Sequence, residues 1–432
     1  MRAKILILTI VIFICLFFCI QIPSLAQNQT RNYEIDDLIK VVRLSNKAIV
    51  IRTGVTYFDV VAAIATEKGI VVIDAGNTPQ LTEKYKKIIT KEFGRDDFAY
   101  LINTHSHRDH TGGNQVFSNV KIIGHERSKE AMIRDWNDPL YREMLQNGIK
   151  ERTERLKNLD INTDAGKQAY FSLIIYSMAQ TDIDNGKHIT TAPSITFKDN
   201  MTLSLGDITV EMMYFGNAHS EGDTFIYIPE EKLLFNGDVF FSGGTPNLTY
   251  FATEETSGSN EVKRWQKVLS HLLKSDRPVE TIVRGHGDIM NLNDLKTFNQ
   301  SIEDIRTKFE SGKDIYPLGR INNILEKEGI SGARTELQKL LTVDKDKYFF
   351  VERGFNVILN NWPLQNKSAE AIEIYKTNIA LFPESWNVYD RLADAYLKSG
   401  NKGLAIETYE KSIKINPNNT SGIEALQQLK SK

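Results

Sequence analysis

Hydrophobic positions between about residues 35 and 310 fall into short runs, separated by glycine, proline and charged residues. Runs that are rich in valine and isoleucine predict strands. We place these strands at residues 49–52, 60–66, 70–74, 99–103, 120–124, 195–197, 203–205, 208–213, 225–228, 233–235 and 281–283. Residues 127–184 have apolar positions at helical spacing instead. Strands at both ends with helices between them predict an α+β fold, in which two packed sheets are flanked by helices.

After about Lys313 we expect the strands to stop and the pattern to become helical. Three residue types recur there at a distance of 34 positions: Ala371 and Ala405, Tyr375 and Tyr409, and Pro383 and Pro417. This period resembles the tetratricopeptide repeat, in which pairs of helices stack. We expect a helical connector at 313–351 and an all-α repeat domain at 352–432. Its repeats lie near 352–385 and 386–419, and a closing helix follows them.

The N-terminus has the order of a secretory signal peptide. Two basic residues precede an uncharged apolar run at 5–20, and the small-residue site Ser24-Leu25-Ala26 follows. The run is shorter than the ~20 residues of a membrane span, which favours a cleaved signal at 1–26 over an uncleaved membrane anchor. The sequence therefore predicts an exported protein, periplasmic or secreted, with no membrane attachment after cleavage.

Composition and charge narrow the classes of protein. A chain of 432 residues, with 41% hydrophobic and 25% charged residues, is typical of soluble globular domains. The 53 basic and 55 acidic residues give a net charge of −2, which argues against nucleic-acid binding. Cys15 and Cys19 both lie in the predicted signal, so the mature chain has no thiol for a disulfide or a metal.

A cluster of histidine and aspartate follows the predicted strand 99–103. Within six residues the chain places His105, His107, Asp109 and His110. Neutral imidazole is a good ligand for borderline metals such as zinc. Side chains two apart in an extended loop point the same way, so His105 and His107 can bind one ion while Asp109 and His110 address a second.

Three further candidates each follow a predicted strand and lie beside glycine, which lets the backbone approach a site closely. They are His219, Asp238 and His286. Together with the first cluster they make a coherent set of seven ligands.

These motifs, in this order, resemble those of the metallo-β-lactamase-fold hydrolases over about residues 40–300. The resemblance implies an αββα sandwich with two metal sites. His105, His107 and His219 would hold the first metal, Asp109, His110 and His286 the second, and Asp238 would bridge both. Asp74 would support the metal loop without binding metal. The hydrolase domain would span 27–312, with the helical stretch 127–184 as an insertion beside the site.

The resemblance also implies the chemistry. A hydroxide that bridges two Zn²⁺ ions would attack an ester-, thioester- or lactone-like carbonyl of a small molecule, and Asp109 would orient it and take its proton. Iron and manganese are alternative metals. Asp238 stands where true β-lactamases of the fold usually carry Cys or Ser, which favours esters over β-lactams. The motifs assign no substrate-binding residue.

Three other interpretations stay open at this point. The chain could be a β-lactam hydrolase of the same fold, or an iron-dependent oxidoreductase of the persulfide dioxygenase type. It could also be an adaptor that binds a protein partner through the repeats, with a lapsed enzyme domain. The complete ligand set speaks against the last interpretation.

Overall fold

A computed structural model describes residues 35–54, 59–135, 140–157, 159, 161–216, 219–240, 266–273, 278–312, 314–315, 318–343, 347–349, 368–417 and 419–430. Within these ranges, no helix has the length and hydrophobicity of a membrane span. The predicted signal at 1–26 lies outside the described residues.

The first sheet has seven strands in sequential order. They are β1 (Ile39–Arg43), β2 (Ala48–Thr53), β3 (Asp59–Thr66), β4 (Gly69–Ile73), β5 (Phe98–Ile102), β6 (Lys121–His125) and β7 (Ile195–Phe197). Strands β1 to β4 pair antiparallel, whereas β4 to β7 pair parallel. Helix α1 (Pro79–Phe93) and the short helix α2 (Arg108–Thr111) belong to the crossovers between parallel strands.

The second sheet has six strands in the order β13-β12-β11-β10-β9-β8. They are β8 (Asn200–Ser204), β9 (Thr209–Tyr214), β10 (Thr224–Ile228), β11 (Leu233–Phe235), β12 (Thr281–Val283) and β13 (Met290–Asn291). All the strands predicted from the sequence are present in the two sheets, while β1 and β13 were not predicted. Single 3₁₀ turns lie at Ile35–Leu38, Asn114–Phe117 and Pro229–Glu231.

The two sheets pack face to face through alternate residues of their strands. On β2, Ala48 and Val50 point into the core between the sheets, whereas Ile49 and Ile51 point outward under helices. Residues of β9 to β12 complete the inner core. The outer face of the second sheet packs on helix α6 (Leu292–Glu310). These layers form an αββα sandwich, which confirms the predicted fold.

Helices fill the segment between β6 and β7. They are α3 (Glu126–Asp135), α4 (Leu140–Leu156) and α5 (Asp164–Asp184). Helix α5 packs on the first sheet: Phe171 is fully buried in the outer core of that sheet, and Gln80 of α1 donates a 2.9 Å hydrogen bond to Asp182. The helical segment therefore lies on the body of the sandwich.

The C-terminal region is mainly helical in its described parts. It contains α7 (Leu318–Thr342), α8 (Ser368–Leu381), α9 (Trp386–Lys398), α10 (Lys402–Ile415) and α11 (Thr420–Lys430). The expectation that strands stop after Lys313 is wrong in detail, because Asp314–Ile315 and Tyr348–Phe349 pair as two short parallel strands, β14 and β15. Helix α11 touches α5. The first helix predicted for the earlier repeat falls in 351–367, outside the described residues.

Candidate metal centre

The His-x-His-x-Asp-His run lies at the carboxyl end of β5. The chain leaves the strand in an extended loop, and His107 directly precedes α2 with extended backbone angles. Asp109 and His110 fall in the first turn of α2, which redirects their side chains relative to those of His105 and His107. The Thr111 hydroxyl donates to the carbonyl of His107 at 2.8 Å and holds this turn closed.

The three remaining candidates come from loops of the second sheet. His219 lies between β9 and β10, Asp238 follows β11, and His286 follows β12. The loop of His219 is held by Asp223, whose carboxylate accepts the backbone N–H of His219 at 2.6 Å and the Ser220 hydroxyl at 2.6 Å. The sequence pattern alone assigns Asp223 no role.

The structure brings all seven predicted ligands together at one edge of the two sheets. They form two groups in which the ligand atoms lie within 4.8 Å of one another: His105, His107, His219 and Asp238 in one, and Asp109, His110, Asp238 and His286 in the other. Asp238 belongs to both groups. The resemblance to the metallo-β-lactamase fold implies the same two sets of residues.

The atom separations suit ligands of small cations. His219 Nε2 lies 3.0 Å from His107 Nδ1 and 3.3 Å from Asp238 Oδ2. In the second group, His286 Nε2 lies 3.0 Å from Asp109 Oδ2 and 3.2 Å from Asp238 Oδ2. Tetrahedral ligands of zinc at about 2.0–2.1 Å are roughly 3.3 Å apart, so these spacings match.

Buried polar atoms without hydrogen bonds test whether a cation fits. His105 Nε2, His110 Nε2 and Asp238 Oδ1 are buried and make no hydrogen bond with any described residue. Leaving such groups unpaired is unfavourable, so native proteins rarely do so. Each of these atoms belongs to one of the two groups above. The residues present therefore fit divalent metal ions.

Asp74 explains why these nitrogens face the centre. Its carboxylate accepts the backbone N–H and the hydroxyl of Thr104 at 2.8 and 2.7 Å, and lies 3.0 Å from His110 Nδ1. The Thr104 hydroxyl in turn lies 3.1 Å from His105 Nδ1. An ionised carboxylate only accepts, so the network assigns the protons to Nδ1 of both histidines. In their neutral forms, both rings then leave the Nε2 lone pair for a metal.

Two of the histidines are held neutral in this site. Burial, followed by repulsion from His110 and His107, lowers the pKa of His105 well below its ordinary value. Burial and the charge of His219 likewise lower the pKa of His107. Neutral imidazole is the form that binds metal, so the first group is ready to act as ligands near neutral pH.

The second group is more strongly charged. Burial raises the pKa of Asp238, but neighbouring histidines, His286 above all, outweigh it and hold the pKa well below its ordinary value. Burial lowers the pKa of His286, yet Asp238 and Asp109 outweigh it and raise the pKa to about 10. A cation that binds here must displace a proton from this histidine.

The helical segment contacts the metal motif at Arg108. Arg108 lies in the motif between His107 and Asp109, and its guanidinium carbon lies 3.1 Å from the ring centroid of Tyr141 in α4. Phe240 does not face the centre. Although it lies two residues after Asp238, its side chain is buried in the outer core of the second sheet.

Sequence comparison agrees with this geometry. The profile of the Metallo-beta-lactamase superfamily matches residues 59–286, and a Tetratricopeptide repeat profile matches residues 387–419. The metallo-beta-lactamase type 2 of Bacillus cereus is 21% identical over 250 residues, which cover 56% of this chain and 75% of that protein.

A second relative is 2,4-dinitroanisole O-demethylase subunit alpha of Nocardioides sp. (strain JS1661), 22% identical over 188 residues. That match covers 43% of this chain and 42% of the subunit. Among solved structures, a metallo-beta-lactamase from Pontibacter korlensis is 17% identical, with a TM-score of 0.41. It matches over 62% of this chain and 99% of its own. The superfamily profile covers more than half of the chain, which therefore belongs to the Metallo-beta-lactamase superfamily and carries a C-terminal tetratricopeptide repeat.

Proposed function

We propose that this chain is an exported dinuclear zinc hydrolase that cleaves an ester-, thioester- or lactone-like carbonyl of a small molecule. The observation that carries this proposal is the pair of ligand groups that share Asp238. A carboxylate common to two groups suits two cations better than one, because it has two oxygens to offer.

The donor set supports zinc. The two groups offer imidazole nitrogens and carboxylate oxygens and contain no sulfur, a mixture that zinc accepts readily, with iron and manganese as alternatives. Two zinc ions bound there would lower the pKa of a water molecule towards neutrality and polarise a carbonyl oxygen. His105, His107 and His219 would bind the first, and Asp109, His110 and His286 the second.

Asp109 is our candidate for the catalytic carboxylate. Its side chain is 24% exposed, whereas that of Asp238 is 3% exposed, so Asp109 lies at the solvent edge of the centre. Its Oδ2 lies 3.0 Å from His286 Nε2. An accessible carboxylate at this edge can orient a water molecule for attack and accept its proton.

Substrate access would pass the helical segment. The stacked pair Arg108 and Tyr141 joins the predicted insertion 127–184 to the metal motif and would form one wall of the path. The aromatic ring can contact an apolar group of a substrate, and the guanidinium can donate a hydrogen bond to a carbonyl oxygen. Specificity would then depend on this pair and on neighbouring loops.

A hydrolysis panel with metal analysis tests the proposal. The panel contains a thioester, a lactone, an aryl ester, a phosphodiester and a cephalosporin. We expect about two zinc ions per chain, cleavage of a carbonyl ester, loss of activity on chelation and loss in Asp109→Asn. Asp97→Asn, at an exposed ion pair with Arg95, is the matched control and keeps full activity. Unchanged activity after chelation would refute the proposal, and bound iron would favour the persulfide dioxygenase type instead.

β-Lactam hydrolysis is the second candidate, favoured by the match to the Bacillus cereus enzyme over 56% of this chain. The cephalosporin in the panel separates it from ester hydrolysis. The demethylase relative adds one further substrate, an activated aryl methyl ether. A folded chain that binds no metal and cleaves nothing would favour the adaptor with a lapsed enzyme domain.

The remaining parts of the proposal concern organisation. We propose a hydrolase domain at 27–312, a connector at 313–351 and repeats at 352–432 that offer a surface to a protein partner. Export predicts that the mature protein begins at Gln27, which mass spectrometry of the secreted product measures. A mature chain that begins at Met1 would contradict cleavage.

A further inference from the structure

A buried arginine of the first sheet reaches the loop that carries a metal ligand of the second sheet. Arg52 is the fifth residue of β2, paired with Lys40 on one side and Val60 on the other. Its side chain is 9% exposed. Such deep burial of an arginine is unusual unless its guanidinium has partners.

The partners of Arg52 lie directly after His286. Arg52 Nη2 donates to the carbonyl oxygen of Gly287 at 2.8 Å and to Asp288 Oδ1 at 2.8 Å. From the second sheet, Arg284 Nε donates to the carbonyl oxygen of Asp288 at 2.7 Å. The two residues that follow His286 are therefore held from both sheets.

This arrangement matters because the second metal group draws on both sheets. Asp109 and His110 come from the loop after β5 in the first sheet, whereas His286 comes from the loop after β12 in the second. Pairing of β12 with β11 fixes His286 relative to its own sheet only. The distance between His286 and Asp109 therefore depends on contacts between the two sheets. The hydrogen bonds of Arg52 to Gly287 and Asp288 are such contacts, and they lie at the loop that carries His286.

The shape of the loop lets the hydrogen bonds of Arg52 act on the backbone beside His286. Gly287 has φ of +85°, so the chain turns sharply after His286 and presents its carbonyl to Arg52. The Asp288 carboxylate is 81% exposed, so its ion pair with Arg52 alone contributes little to fixing the loop. The bond to the Gly287 carbonyl acts on the backbone next to the ligand and restrains its position directly.

We infer that Arg52 is a positioning residue for the second metal ion, because its guanidinium fixes the 287–288 backbone and thereby sets the distance of His286 from Asp109. This inference rests on the proposed dinuclear centre. Residues that orient a ligand from behind typically change metal affinity 10- to 100-fold when they are replaced. The hydrogen bonds of Arg52 to residues 287–288 do not involve the loops that carry His105, His107 and His219.

Calorimetric titration of the purified full chain with zinc tests the inference. We expect Arg52→Ala to weaken the second binding step about 10- to 100-fold and to leave the first step unchanged. Arg52→Lys keeps the charge and one donor, so it restores part of the affinity. Arg43→Ala is the matched control, since Arg43 lies on β1 in an exposed ion pair with Glu92 and should change neither step.

Asp288→Asn covers the case in which Arg52→Ala fails to fold. It removes the ion pair and leaves the Gly287 carbonyl contact, so a loss of a few-fold in the second step is expected. The inference is overturned if a folded Arg52→Ala variant binds the second zinc with wild-type affinity. It is also overturned if Arg52→Lys and Asp288→Asn both do so. A wild-type chain that binds fewer than two zinc ions would instead refute the dinuclear proposal.

Discussion

Replacing Asp74 by asparagine should weaken metal binding although Asp74 touches no metal. The carboxylate of Asp74 accepts hydrogen bonds from the backbone N–H and hydroxyl of Thr104 and from Nδ1 of His110. Asparagine keeps the volume and one acceptor oxygen, but it places an NH₂ group where the second oxygen was. That NH₂ faces the Nδ1–H of His110, so two donors meet.

The conflict resolves most readily if His110 moves its proton to Nε2. That nitrogen then has no lone pair for a metal, which weakens the second group directly. The Thr104 hydroxyl can also turn towards His105 Nδ1, which lies 3.1 Å away, and so change the tautomer of a ligand in the first group. Both binding steps are therefore affected, unlike in the Arg52 variants.

The size of the effect follows from the role of the network. Loss of an outer partner of a ligating histidine lowers metal affinity about 10- to 100-fold, or about 1.4 to 2.7 kcal/mol per site. The fold itself should lose about 1–3 kcal/mol of unfolding free energy, because hydrogen bonds to a buried ionised carboxylate are replaced by bonds to a neutral amide. Metal affinity and stability are thus both lowered, by similar amounts.

Zinc titration and urea unfolding of Asp74→Asn measure the two effects. The unfolding is run with excess chelator, so that bound metal does not contribute to the stability. Asp97→Asn, an exposed change of the same chemistry, should alter neither quantity. If Asp74→Asn binds both zinc ions with wild-type affinity, the proton assignment in the network is wrong.

Three further predictions concern other parts of the chain. Burial raises the pKa of Asp59 from 3.8 to about 6, so the folded form holds its proton more tightly than the unfolded form does. Stability should therefore fall by about 2.4 kcal/mol as the pH rises from 4 to 7, and Asp59→Asn should remove that fall in urea unfolding. Gly285→Ala would place a Cβ 2.1 Å from Asp238 Oδ1 and should abolish tight zinc binding, whereas Gly403→Ala, with open space around it, should not. Tyr409→Phe removes a 2.6 Å hydrogen bond to a carboxylate in the repeat region, and should lower thermal stability by about 1–2 kcal/mol without changing zinc affinity.

The ligands could be predicted from the sequence because their signals are local. His105 to His110 form one dense run, and His219, Asp238 and His286 each follow a strand that hydrophobicity identifies. The ends of neighbouring strands meet at one edge of a sheet, so residues far apart in the chain converge there. The resemblance to the metallo-β-lactamase fold then assigned them to two groups, and the same two groups are found in the structure.

The supporting contacts could not be predicted in this way. Arg52 reaches a residue 236 positions later, and nothing in the strand pattern of β2 distinguishes it from an exposed arginine. Tyr141 lies in a helix whose approach to Arg108 depends on the packing of α4 and α5. Phe240 lies next to the site in sequence, but the turn after β11 sends its ring into the core. Such contacts depend on the packing between layers, which a single sequence does not specify.

The central claim is that seven side chains hold two metal ions. Anomalous diffraction from crystals grown with zinc tests it most directly. We predict two anomalous peaks about 3.5–4 Å apart, one among His105, His107 and His219 and the other among Asp109, His110 and His286, with Asp238 between them. A single peak in this region, or zinc bound only elsewhere on the chain, would contradict the dinuclear centre.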